Sequence, residues 1–179
     1  MQFFKGTHVY LRPVEREDVT TIVIWENNVH NWRVTETETP YSHSMILEHI
    51  ESSLNFRQSG TLRLMICLIE DDEPIGIIDL YDANFKHDRA NVGILIGHEK
   101  YREKGYASDA LEILKRYATQ ILAFHNLTAS ILEDNEASIK LFEKVGFELV
   151  GVRKEWFKER DKRIDERIYQ LCLKKEKEE

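Results

Sequence analysis

The chain has 179 residues, 42% hydrophobic and 32% charged, which suits one globular domain with its own core and argues against a disordered or fibrous chain. Its formal net charge of −7 disfavours nucleic acid and anionic membranes as partners and favours cationic ligands. No apolar run reaches the length of a membrane span and the N-terminus has no signal-peptide pattern, so the expected location is cytoplasmic.

In chain order, residues 8–13 read as a first strand, and the acidic stretch Glu15-Arg16-Glu17-Asp18 suits the start of a helix over residues 18–27, with Ile22 and Trp25 apolar. Residues 27–41 read as a polar loop. A helix is expected over residues 44–58, burying Ile46, Leu47, Ile50 and Leu54. Residues 62–70 and 75–81 form a hairpin about Asp71-Asp72-Glu73-Pro74, and residues 89–96 form the next strand. A long helix follows at residues 106–124, with Ala107, Ala110, Leu111, Leu114, Ala118, Ile121 and Leu122 at helical spacing. Then come a strand (127–132), a helix (135–145) and two closing strands (147–158 and 164–173) joined by a charged turn. The domain is expected to span residues 1–173, leaving residues 174–179 as a charged, solvated tail. Cys67 and Cys172 lie in apolar strand-like runs and read as buried thiols. The seven histidines lack ligand spacing, so no metal site is expected.

Arg102-Glu103-Lys104-Gly105-Tyr106-Ala107 lies between the strand Val92-Gly93-Ile94-Leu95-Ile96 and the long helix. Glycine at such a turn lets backbone approach a ligand, and the helix's first N–H groups have no internal partner. That positive end suits a phosphate or pyrophosphate, and Arg102 and Lys104 add charge beside it. Alone, R-x-x-G-x-A fits a plain strand-to-helix turn equally well. Further on, Asn135 suits a helix N-cap and Gly146 a helix stop before Phe147.

Together these segments resemble the GCN5-related N-acetyltransferase superfamily, whose acetyl-CoA site carries Q/R-x-x-G-x-G/A and, later, N-x-x-A/S-x-x-x-Y/F-x-K-x-G-F. Asn135, Ser138, Phe142, Lys144, Gly146 and Phe147 match the second pattern. The resemblance implies an α/β (α+β) fold with a mixed, mostly antiparallel sheet of about seven strands and helices on both faces. It also implies acetyl-CoA as donor, its pyrophosphate on residues Arg102, Glu103, Lys104, Gly105, Tyr106, Ala107 and Ser108, chiefly through main-chain N–H groups. Ile94, Leu95 and Ile96 would part from residues 127–132 and bind the pantetheine arm, with Asn135, Ser138, Phe142 and Lys144 also at the cofactor. Residues Leu11 to Asp18, Asn27-Asn28, Pro40-Tyr41, Gly76 to Leu80 and His87 to Ala90 look like the spermidine and diamine N-acetyltransferases. Acetyltransferases of protein N-termini share the L-R-P opening. The expected acceptor is therefore a small-molecule amine, first a diamine or polyamine such as spermidine. A protein N-terminus, another small amine, or a weakly catalytic acetyl-CoA-binding protein is the alternative. Homo-oligomers occur among such relatives.

Acetylating an alkylamine of pKa about 10 requires removing a proton. In the polyamine enzymes a tyrosine corresponding to Phe142 is thought to protonate the leaving thiolate; Phe142 has no hydroxyl, and Tyr81, Tyr101 or water are the substitutes. A thiol of pKa about 8.5 also leaves with little help. Among carboxylates, Asp79 interrupts an apolar strand and suits either a solvated face or a catalytic and substrate-binding role, with Asp82 weaker. Glu36 and Glu38 offer an acidic rim for a polycation, Glu99 is a candidate base by position, and Asn135 is a candidate for both capping and catalysis.

Overall fold

The computed structural model describes residues 4–35 and 37–173; Glu36 and the tail 174–179 lie outside the described residues, as does the Val34 side chain. Seven strands form one sheet, ordered β1 (Val9–Pro13), β2 (Leu62–Leu68), β3 (Pro74–Asn84), β4 (Arg89–Ile96), β5 (Asn126–Leu132), β7 (Lys162–Cys172), β6 (Glu148–Glu159). All neighbours are antiparallel except β4 and β5. The helices are α1 (Val19–Glu26), α2 (Val29–Thr35), α3 (His43–Ser52), α4 (Phe56–Ser59), α5 (Tyr106–Gln120) and α6 (Glu136–Val145).

Strand alternation divides the core between the two faces of the sheet. Leu64, Ile66, Ile78, Leu80 and Val92 join α5 and α6 residues on one face, while Met65, Cys67, Ile77 and Leu95 meet α1 and α3 on the other. Central strands buried on both faces read as unbroken apolar runs, which is why they stood out in the sequence. Asp109 ties the first turn of α5 to the chain entering β1, its carboxylate accepting the N–H groups of Thr7 (3.1 Å), His8 (2.7 Å) and Val9 (3.1 Å).

Four expectations change. The polar loop after α1 contains α2, whose Trp32 indole donates to the Glu26 carbonyl at 2.8 Å. The helix expected over 44–58 breaks in two: the Ser52 and Ser53 hydroxyls both donate to the His49 carbonyl (2.9 and 2.5 Å), and Asn55 starts α4 as its N-cap. Leu54, expected inside, is consequently 81% exposed. The long helix stops at Gln120, leaving Ile121 exposed, because the chain turns through a left-handed Ala123. Cys172 is exposed at the end of β7, its thiol donating to Asn126 Oδ1 at 3.3 Å, whereas Cys67 is buried.

Candidate active site

β4 and β5 pair for only three residues, Arg89 with Asn126, Ala90 with Leu127 and Asn91 with Thr128. At the last pair the Thr128 hydroxyl donates to Asn91 Oδ1, and the strands then diverge. The β4 backbone beyond Asn91 that faces β5 therefore has no strand partner, and main-chain groups of this kind need another. The gap opens into a cleft of about 720 Å³ lined by Ile94, Leu95 and Ile96 on one side and by α5 and α6 on the others.

Arg102, Glu103, Gly105, Tyr106, Ala107 and Ser108 line this cleft. Glu103 (φ 59°) and Gly105 (φ 84°) are left-handed, whereas Arg102 between β4 and this turn is extended, so the loop alternates in hand. A Cβ on Gly105 would meet nothing within 4 Å, so glycine is favoured there by its backbone angle and not by crowding. No side chain caps α5, and its first internal bond is from Asp109 N–H to the Gly105 carbonyl at 3.0 Å. The N–H groups of Tyr106, Ala107 and Ser108 precede that bond, and all three residues line the cleft; a helix start of this kind suits an anion. Arg102 does not stand free: its guanidinium donates to Asn31 Oδ1 at 3.0 Å and to the Ile96 carbonyl at 3.5 Å. Lys104 is exposed on the same loop.

Asn135 caps α6, accepting from the Ser138 N–H at 3.2 Å, and both residues line the cleft together with Lys144. They also line a smaller recess of about 140 Å³ with Ile94, Tyr81, Ser130, Phe142 and Glu166. Phe142 is buried edge-to-face on Phe147, centroids 5.0 Å apart, and lines the recess, not the cleft. Tyr101 lines the cleft, its phenol held above the ordinary pKa by burial and by Glu73, so it keeps its proton at neutral pH.

The carboxylates singled out in the sequence are not brought together. Asp79 lines neither hollow: Arg63 grips it with two hydrogen bonds, Nε to Oδ1 at 2.9 Å and Nη2 to Oδ2 at 2.8 Å, and reaches Glu26 at 3.2 Å. Asp82 sits at a bulge of β3, accepting from Asn91 Nδ2 at 3.1 Å. Glu38 and Glu99 are exposed away from both hollows, and Glu36 is not described. Conversely, α2 supplies residues that sequence reasoning missed. His30 and Asn31 line the cleft, and Arg33 lines the recess, bonded to Asp134 and to Glu159 (3.0 Å). The i, i+3 pair Val29 and Trp32 was the available signal for that helix.

Residues 8–148 match the acetyltransferase (GNAT) domain family. This chain belongs to that family. GNAT enzymes are acyltransferases that use acetyl-CoA, and the uncapped α5 terminus, open Gly105 loop and unpaired β4 edge fit its anionic and amide-bearing parts. The chain is 31% identical to the spermidine N(1)-acetyltransferase of Escherichia coli K12 over 143 residues, 80% of this chain and 74% of that protein. It is 26% identical to the Bacillus subtilis N-acetyltransferase YoaA over 93% of this chain and 94% of that one. The fold of this GNAT enzyme superposes on Vibrio cholerae spermidine N-acetyltransferase, solved with CoA and spermine, with a TM-score of 0.85 at 22% identity, covering 93% and 96% of the chains.

Proposed function

We propose that this enzyme acetylates a primary amine of a diamine or polyamine such as spermidine. The observation that carries the reading is that cleft and recess meet at Ile94, Asn135 and Ser138. A thioester entering past the open edge of β4 thus reaches an acceptor in the recess. The likeness to the E. coli enzyme and the net charge of −7 support a cationic acceptor.

In this reading the N–H groups from Gly105 to Ser108 hold the diphosphate, with Arg102, Lys104 and Lys144 adding positive charge. The β4 edge at Ile94, Leu95 and Ile96 binds the pantetheine amides, and an N–H there polarises the acetyl oxygen. Asn135 and Ser138 shape the junction, and Phe142 packs against the acyl end. Asp79 serves by anchoring Arg63, and Asp82 by orienting Asn91.

Purified enzyme with acetyl-CoA and spermidine, followed by thiol release, tests the proposal. Saturable release is expected with spermidine and much less with an uncharged primary amine. Release that does not distinguish the two removes the polyamine claim, and no release with any amine removes the catalytic one. Phe142, which lacks a hydroxyl where a proton donor is expected, favours a second reading as a weakly catalytic acetyl-CoA binder.

A further inference from the structure

The recess has one carboxylate in its wall among the described residues, and it is not one that the sequence pointed to. Glu166, on β7, is 4% exposed and lines the recess with Tyr81, Phe142, Ser130 and Ile94. Tyr169 faces α6, its hydroxyl donating to Glu143 at 3.0 Å, so strand alternation puts Glu166 on the opposite face, where it pairs with Leu132 at the end of β5 beside the fork. A buried carboxylate needs a cation or donors. Among the described residues its partner is Arg153, whose Nη1 donates to Oε2 at 2.5 Å. Arg153 approaches from the solvent side: its side chain is 45% exposed, on the edge strand β6, stacked 5.0 Å over the exposed Trp156 ring. One monodentate bond leaves most of the acceptor capacity of Glu166 unused. The other charged residue of the wall, Arg33, is matched by two carboxylates, Asp134 and Glu159, so it does not make the recess cationic.

We propose that Glu166 is the carboxylate that receives the ammonium group of the acceptor. This rests on the amine-acetylation reading above and adds the residue that implements it. An ammonium nitrogen held against Glu166 gives one proton to the carboxylate, which passes it to water. The freed lone pair forms the C–N bond to the acetyl carbon as the C–S bond breaks. A second proton leaves nitrogen for the departing sulfur, giving the amide, coenzyme A thiol and one released proton. Asp79, gripped by both arms of Arg63, has no such freedom.

The test uses the full chain with two substitutions, Glu166→Gln and Arg153→Met, measuring spermidine kcat/KM and coenzyme A affinity. Glu166→Gln keeps the shape and removes the charge, so kcat/KM is expected to fall about 10- to 100-fold with coenzyme A affinity unchanged. Arg153→Met removes the competing cation, so KM for spermidine is expected to fall. A Glu166→Gln enzyme within twofold of wild type, or an Arg153→Met enzyme with unchanged or higher KM, overturns the assignment. Should Glu166→Gln fail to fold, Arg153→Met decides alone. A wild-type enzyme inactive on spermidine but active on another cationic amine refutes the polyamine reading only, and the same variants then test Glu166 on that amine.

Discussion

Arg63 sits between two carboxylates on the α1 face of the sheet, and burial sets the terms of that cluster. Burial pushes the Glu26 carboxyl above its usual range, against the pull of Arg63, and pushes His49 below its usual value, where Arg63 reinforces the effect. Arg63→Met leaves Asp79 and Glu26 without their cation, so the unfolding free energy is expected to drop by about 3–5 kcal/mol in urea titrations. Coenzyme A affinity should hold, because neither carboxylate lines the cleft. At Asp18, burial raises the carboxyl, but hydrogen bonds from Arg12 (2.7 and 2.8 Å) and the Glu15 N–H (2.8 Å) outweigh it and leave the pKa below 3.8. A depressed carboxylate stabilises the fold above its unfolded pKa and loses that contribution as pH falls through the folded one. Asp18→Asn is therefore expected to lower Tm at pH 7, with the gap to wild type closing in acid. At Phe142 a thiolate that leaves unaided makes a hydroxyl superfluous, so Phe142→Tyr should raise kcat by less than about tenfold, under 1.4 kcal/mol of barrier. A larger gain would show that proton donation limits the enzyme and favour the weakly catalytic reading.

Each element around the cleft depends on a local device, and those devices differ in how visible they were. The α5 loop was legible because only glycine takes φ 84° without strain, and α6 because an asparagine cap and a left-handed Gly146 bracket it. Gly105→Ala meets no steric contact, so its penalty is the left-handed angle alone, about 1–2 kcal/mol. A loop that relaxes to escape it turns its N–H groups away, and coenzyme A affinity should fall about tenfold by calorimetry. Asn135→Ala should lower stability by about 1 kcal/mol through the lost cap. By contrast α2 was read as loop, since a seven-residue helix of polar composition leaves little periodicity. Its hold comes from distant partners, Arg102 to Asn31 and Arg33 to Asp134 and Glu159, which no local pattern announces. Asp79 was read as standing on a solvated face or serving catalysis and substrate; its partner is Arg63 on the neighbouring strand, a cross-sheet register the sequence does not state.

At the scale of the molecule, seven strands make one sheet and the single parallel junction within it makes the site. Sequence order of strands and helices was enough to suggest that junction by resemblance; the side-chain lock at Asn91 and Thr128, where it opens, was not foreseeable. The claim on which the account turns is that coenzyme A occupies this fork. A crystal structure of the coenzyme A complex tests it most directly. Diphosphate oxygens are expected about 3 Å from the N–H groups between Gly105 and Ser108, with the pantetheine arm along residues 92–96 of β4. A nucleotide bound elsewhere, or β4 and β5 zipped together beyond Thr128, would contradict it.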